Sequence, residues 1–166
     1  MPKKDTNLTD SERALFRESM ESLRSTSSSE SVDATVSVWR ELADMHHVGP
    51  EDNMAYIPKS LPQIEQRRLK RGQCAIEGRC DLHGRTQEEA LVMLSEFVAG
   101  QQHLQHRCVL IVHGKGGRVG GDTAILKNLT GRWLLAHPAV VAFHSALPRQ
   151  GGTGATMVLL KSPSSR

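Results

Sequence analysis

The chain has 166 residues, of which 23% are charged and only 4% aromatic, and its formal net charge at pH 7 is +3. This length predicts one compact domain with an extension. No apolar run reaches the ~18 residues that a membrane-spanning helix needs, which argues against a membrane partner. The start Met1-Pro2-Lys3-Lys4-Asp5 lacks the apolar core of a signal peptide, so we expect a cytoplasmic protein.

Charge is distributed unevenly along the chain. Residues 1–57 carry six basic and eleven acidic side chains, whereas residues 107–166 carry eight Lys and Arg residues against one acid, Asp122. Lys and Arg displace the counterions condensed on phosphates, so a basic C-terminal half favours a polyanionic partner. A surface that is basic only for solubility accounts for the charge equally well.

Residues 1–60 are predicted to be an N-terminal extension. The capping box Thr9-Asp10-Ser11-Glu12 starts a predicted helix over residues 9–24, which has a partial apolar face. A run rich in serine follows, and residues 30–60 have weak periodicity, which predicts a mostly irregular tether. A short capped helix on a flexible tether suits a docking element, and the alternative is a helix that packs on its own domain.

Residues 61–75 are predicted to form a short basic helix and a linker. The segment Ile64-Glu65-Gln66-Arg67-Arg68-Leu69-Lys70-Arg71-Gly72 ends in glycine, which is typical of a helix C-terminus. Its four cations in five positions fit either a solvated helix or an arm that contacts phosphates.

Residues 76–162 are predicted to be one α/β domain. The order β-α-β-α-β-β predicts a mixed sheet with two helices in a two-layer sandwich. The apolar run Cys108-Val109-Leu110-Ile111-Val112 is expected in a central strand that is buried on both sides. The capping box Thr86-Gln87-Glu88-Glu89 starts the first helix. The residues expected to face inward from the second helix, residues 122–135, are Ile125, Leu126, Leu129, Trp133 and Leu134.

The first candidate for chemistry is Asp81-Leu82-His83-Gly84, at the end of the first predicted strand of this domain. Asp81 and His83 are two residues apart in a strand, so their side chains point to the same face. A carboxylate in this position orients an imidazole or holds its tautomer. A lone histidine at a strand end is more often structural, so the interpretation depends on a second motif.

The second candidate is His113-Gly114-Lys115-Gly116-Gly117, directly after the central strand. The two histidines are 30 residues apart, about one strand–helix–strand unit, which places both at one edge of a parallel sheet. Ligands of open α/β sheets bind beyond the carboxyl ends of strands. The glycines let backbone N–H groups approach an anion, and Lys115 adds a charge. The motif therefore predicts a phosphate-binding loop, and the alternative is a connector of no special purpose.

The remaining candidates are a third loop and a metal site. Gly151-Gly152-Thr153-Gly154 predicts a hairpin turn, and Arg149 before it is a candidate phosphate contact. The last 94 residues hold six acids and no acidic cluster suited to Mg²⁺, so we expect no cofactor. The alternative is one transition metal held by Asp81 and the two histidines. Three cysteines without zinc-site spacing are predicted to be reduced thiols: Cys74, Cys80 and Cys108.

In this order, the motifs resemble those of the Smr (small MutS-related) domain family over residues 80–161, closing with Trp133-Leu134 and Gly151-Gly152-Thr153-Gly154-Ala155-Thr156. The resemblance implies a two-layer sandwich similar to the C-terminal domain of translation initiation factor 3, and nuclease activity on DNA or RNA. Asp81 and His83 match the family's usual catalytic candidates, and residues 113–116 match its substrate-binding or catalytic motif. Stand-alone bacterial members with an extension are linked to endonucleolytic cleavage of mRNA on stalled or collided ribosomes.

We therefore expect an endonuclease that cleaves RNA without a metal and meets the ribosome through its extension. One histidine removes the proton of a ribose 2′-OH and another protonates the leaving oxygen, with His83 and His113 as candidates and Asp81 orienting His83. The expected substrate-binding residues are Gly114, Lys115, Gly116, Gly117, Arg118 and Arg149. Two alternatives stay open: a DNA-nicking endonuclease with a bound metal, and a non-catalytic adaptor for nucleic acid or ribosomes.

Overall fold

The computed structural model describes residues 48–116 and 124–162, together with the single residue Ala14. These residues form one mixed five-stranded sheet in the order β1-β4-β5-β3-β2. The strands are β1 (Ala55–Tyr56), β2 (Gly78–Asp81), β3 (Cys108–Val112), β4 (Val140–Ser145) and β5 (Ala155–Leu160). The helices are α1 (Gln63–Lys70), α2 (Gln87–His103) and α3 (Ile125–Ala136).

Pairing within the sheet confirms the predicted α/β class and element order. Strands β2 and β3 are parallel, with Asp81 opposite Val112, so both end at the same edge. Strand β3 pairs antiparallel with β5, and β4 with β5 forms the predicted hairpin. Before this series lie β1, which was not predicted, and α1, the predicted short basic helix.

Helices α2 and α3 cover one face of the sheet. Thr86 caps α2: its hydroxyl accepts a hydrogen bond from the Glu89 N–H, and the Glu89 carboxylate accepts one from the Thr86 N–H, as the capping box predicts. The residues of the two helices buried in this core are Ala90, Leu91, Leu94, Val98, Trp133, Leu134 and Leu135. The apolar residues at helical spacing in α2 and α3 therefore face the sheet, as their periodicity predicts.

One inward residue of α3 was predicted wrongly. Ile125 is 44% exposed, whereas Leu126 and Leu129 pack against the core. Successive helical residues are rotated by about 100°, so Ile125, one position before Leu126, is turned away from the sheet. Asp122 and Thr123, the first residues of the predicted helix, lie outside the described residues; the residue that precedes the helix is Ala124.

Helix α1 covers part of the opposite face. Leu61 and Leu69 are buried there against Cys108, Leu110 and Met157. Strand β3 therefore contributes alternate side chains to two cores, Val109 and Ile111 to one and Cys108 and Leu110 to the other. The prediction of a strand buried on both sides is confirmed, and the basic helix supplies part of the second cover.

The described part of the predicted tether, residues 48–60, has little regular structure beyond β1, but it packs on the domain. Tyr56 of β1 pairs with Phe143 of β4, and Met54 is only 2% exposed. The Met54 N–H donates to the Ser145 hydroxyl (2.7 Å), and the Ser145 N–H donates to the Met54 carbonyl (2.8 Å). A strand of two residues has no detectable periodicity, which is why the sequence pattern missed it.

Of the predicted helix over residues 9–24, only Ala14 is among the described residues, and it is helical. Among the residues that are described, no helix is both long and apolar enough to cross a membrane.

Candidate active site

Asp81 and His83 form a hydrogen-bonded pair where the edge strand β2 ends. The Asp81 Oδ1 atom lies 2.5 Å from His83 Nδ1 and 3.1 Å from the His83 backbone nitrogen, whose N–H it accepts. Buried Leu82 between them donates its N–H to the Val112 carbonyl, which fixes the pair relative to β3. Because a carboxylate oxygen accepts, Nδ1 carries the proton and Nε2 of a neutral ring is left to accept one.

This pair faces solvent, so it is open to a large substrate. The His83 side chain is 71% exposed, and Gly84 follows at φ +74°, a conformation that lets the chain turn away from the strand tip. Burial raises the pKa of Asp81, but its hydrogen bonds to His83 and the charges of His83 and Arg79 outweigh burial. The net result is a pKa below the usual value, so this carboxylate stays ionised beside the imidazole.

The glycine-rich loop lies directly beside His83. A Cβ placed on Gly114 (φ +78°) would lie 3.8 Å from the His83 Cβ atom. The His113 and Gly114 N–H groups both donate to the Gly154 carbonyl, at 3.0 and 2.9 Å. Parallel strands thus bring the two motifs to one sheet edge, as the spacing of the histidines predicts.

The loop that contains Gly151-Gly152-Thr153-Gly154 packs against the glycine-rich loop that begins at His113. Two short 3-10 turns, Pro148–Gln150 and Gly152–Gly154, connect β4 to β5. A Cβ on Gly154 would lie 3.2 Å from the Lys115 Cγ atom and 3.3 Å from its backbone nitrogen, so a larger residue would push these neighbours away by a few tenths of an ångström. Arg149 is exposed on the first turn. The loop is therefore both the predicted hairpin connection and a neighbour of Lys115.

His113 lies at the expected sheet edge, but its ring is buried instead of facing the site. It is 3% exposed, its Nδ1 lies 2.8 Å from the Gly114 carbonyl oxygen, and its Nε2 lies 2.9 Å from the Thr156 hydroxyl. A carbonyl only accepts, so Nδ1 carries the proton and Nε2 accepts from Thr156. Burial lowers the pKa of His113 to about 4. Both ring nitrogens are occupied, and this geometry does not offer a second exposed imidazole beside His83.

Lys115 has a partner that the sequence did not indicate. Its Nζ atom lies 3.0 and 3.2 Å from the two carboxylate oxygens of Glu51, and both side chains are exposed. An exposed pair of this kind contributes little to stability, about 0–1 kcal/mol. The ammonium group therefore remains available to exchange Glu51 for a phosphate.

Glu51 is brought to the loop by a buried lysine. Lys127 of α3 is 0% exposed, and its Nζ atom donates to the carbonyls of Gly49, Pro50 and Asp52 at 2.5–3.1 Å. Burial lowers the pKa of Lys127, and the acids nearby oppose this shift. Sequence reasoning missed Lys127 because a lysine on a helix is normally solvated.

The site combines an exposed carboxylate–imidazole pair with a loop suited to anions. Of the expected substrate-binding residues, Gly114, Lys115 and Gly116 lie in the described loop, and Gly117 and Arg118 lie outside the described residues. Within residues 48–116 and 124–162, no group of three His, Cys, Asp or Glu side chains is arranged to hold a metal ion. The described groups suit proton transfer next to a bound phosphate.

Comparisons with known proteins agree with the motifs. The family model of the Smr domain matches residues 80–161. The ribosome rescue factor SmrB of Klebsiella pneumoniae (strain 342) is 30% identical over 178 aligned positions, which cover 96% of this chain and 94% of that protein. SmrB of Escherichia coli (strain K12 / DH10B) is 32% identical over the same shares.

A solved structure is similar as well. The crystal structure of YdaL, a stand-alone small MutS-related protein from Escherichia coli, superposes with a TM-score of 0.61 at 27% sequence identity. The superposition covers 69% of this chain and 88% of that one.

Proposed function

Because this chain belongs to the Smr family, we propose that it is an endonuclease with RNA as its first substrate. The observation that carries the proposal is the Asp81–His83 pair, exposed and next to the glycine-rich loop. Relatives named ribosome rescue factor SmrB match nearly the full chain, which supports ribosome-bound mRNA as the substrate and the cytoplasm as the location.

In the proposed reaction His83 is the general base. Asp81 accepts from Nδ1–H, so Nε2 is the atom that takes the proton from a ribose 2′-OH. The 2′-oxygen attacks the adjacent phosphorus, the bond to the 5′-oxygen breaks, and this oxygen takes a proton from solvent. The products carry a 2′,3′-cyclic phosphate and a 5′-hydroxyl. No metal takes part in this proposal.

The glycine-rich loop holds the phosphate in the proposed reaction. The Lys115 ammonium group stabilises the charge that develops on the phosphorane. Glu51 leaves Lys115 when the phosphate arrives, since their ion pair is exposed and weak. In this proposal His113 is neither the acid nor the base. It positions the start of the loop, because its ring links the Gly114 carbonyl to the Thr156 hydroxyl.

The test compares substrates and products. We expect cleavage of single-stranded RNA in the presence of EDTA, with no cleavage of a matched DNA strand that lacks the 2′-OH. Sequencing and end-labelling of the fragments should identify a cyclic phosphate and a 5′-hydroxyl. Products with a 5′-phosphate, or activity that needs Mn²⁺ and extends to supercoiled DNA, would instead support a metal-dependent DNA-nicking enzyme.

A chain that cleaves neither free nor ribosome-bound substrates, yet binds them after Asp81→Ala and His83→Ala, would be an adaptor. This outcome contradicts the proposed enzyme, because binding would then be the whole function of the loops.

A further inference from the structure

The surface of α1 that faces away from the sheet is covered with cations. Leu69 is the buried residue of this helix, and Arg67 and Arg71 lie on the opposite side of the helical wheel, with Arg68 and Lys70 on its two flanks. All four are exposed. None of the ion pairs among the described residues involves these four cations. The nearby carboxylate of Glu65 is bound to Arg107 instead (2.8 Å).

These cations connect to the candidate site through direct contacts. Gly72, at φ +61°, approaches the 147–154 loop so closely that an added Cβ would lie 2.7 Å from Leu147 and 3.1 Å from the Gln150 side-chain oxygen. The same loop carries Arg149 on its exposed first turn and ends at Gly154, which contacts Lys115. These contacts link the C-terminal end of α1 to the loop that carries Arg149, and that loop to Lys115 beside His83, so the surface that carries their exposed cations is made of neighbouring elements.

We propose that this surface is the binding track for single-stranded RNA outside the reaction centre. The basic track consists of Arg67, Arg68, Lys70, Arg71, Arg149 and Lys115. Exposed cations at successive points along a path are what a sugar–phosphate backbone requires, and each contact releases counterions from it. Among the described residues only Lys115 of the track has an ion-pair partner, Glu51, and this pair is exposed and weak. The inference deepens the proposed function and rests on it for the position of the scissile phosphate.

A purely structural role explains fewer of these observations. Cations in the last turn of a helix interact favourably with its dipole, which contributes about 0.3–1 kcal/mol for each. This effect accounts for cations near the end of α1, but not for the contacts that join α1 to Arg149 and Lys115. Substitution of these cations separates the two roles. If they only stabilise the helix dipole, the melting midpoint changes; if they bind RNA, the salt dependence of RNA binding changes.

The experiment measures binding of a 2′-O-methyl RNA oligomer to the full chain by fluorescence anisotropy over a series of salt concentrations. This oligomer lacks the attacking 2′-OH, so binding is measured whether or not the chain is a nuclease. The variant is Arg67→Gln with Arg71→Gln. The matched control is Arg132→Gln with Lys161→Gln, which removes the same charge from α3 and from the end of β5 remote from the glycine-rich loop.

The track variant should weaken binding and lower the slope of log K against log salt by about 1.4, since each single-strand phosphate contact contributes about 0.7. The control should leave the slope unchanged, and Arg67→Lys with Arg71→Lys should restore it. Equal slopes for the track and control variants, with both melting as the parent does, would overturn the track. Cleavage without track-dependent binding would overturn only the track, and track-dependent binding without any cleavage would overturn only the nuclease.

Discussion

His83 and His113 each follow a strand of the same sheet, but their rings have opposite surroundings. His83 bonds to Asp81 through Nδ1 and is exposed, whereas His113 is enclosed between the Gly114 carbonyl and the Thr156 hydroxyl. The sequence spacing places both at one sheet edge, and this was confirmed. The spacing does not predict whether either ring faces solvent or the protein interior. For His113 the orientation depends on Thr156 of β5, which is distant in sequence.

The burial of His113 predicts how stability depends on pH. Its pKa falls from 6.5 to about 4 on folding because the buried ring is poorly solvated when charged. Between these values the unfolded chain binds more protons than the folded one, so the free energy of unfolding decreases as pH falls through this window. The loss is at most about 3.5 kcal/mol, at about 1.4 kcal/mol for each pKa unit.

The measurement is chemical denaturation of the parent and His113→Gln at several pH values across this window. Glutamine keeps a donor and an acceptor but does not titrate there. The variant should lose less stability on acidification, although His137, whose pKa burial also lowers to about 4, keeps part of the slope. Identical slopes for the two proteins would show that His113 is not buried in its neutral form.

At the scale of elements, periodicity located most of the fold. Helix α2 with its capping box, the strand β3 buried on both faces, and the β4–β5 hairpin all have strong local patterns, and each was confirmed. Helix α1 was found from its basic pattern and terminal glycine, although only one of its residues, Leu69, is fully buried.

The element that sequence reasoning missed is the segment before α1. Residues 48–52 are held by side chains about 80 positions away: Lys127 binds three of their carbonyls, and Asn128 exchanges two hydrogen bonds with Val48. No local pattern reports a contact of this sequence separation. We propose that the folded domain includes residues 48–60, which the sequence analysis assigned to the extension.

At the scale of the whole molecule, we propose that residues 1–30 serve docking and that the chemistry resides in the domain. The Asp81–His83 pair, the described part of the glycine-rich loop and the basic track all lie within residues 48–116 and 124–162. If the extension binds the ribosome, it raises the effective concentration of the site near mRNA without new contacts at the site.

Deletion of residues 1–30 tests this separation. Cleavage of a short free RNA should stay close to the parent rate, whereas sedimentation with ribosomes and cleavage of ribosome-bound mRNA should fall sharply. The melting midpoint should be unchanged. A fall of several degrees, which corresponds to about 1 kcal/mol of lost packing in a domain of this size, would mean that the predicted helix over residues 9–24 packs on the domain.

The central claim is that His83 is the general base, and the rate of RNA cleavage by His83→Ala tests it most directly. His103, exposed in the last turn of α2, supplies the matched control His103→Ala. We predict that His83→Ala lowers the single-turnover rate at least ~10²-fold, the scale of general acid–base catalysis, while RNA binding and the His103→Ala rate stay at the parent level. A His83→Ala variant that cleaves RNA at the parent rate would contradict the account.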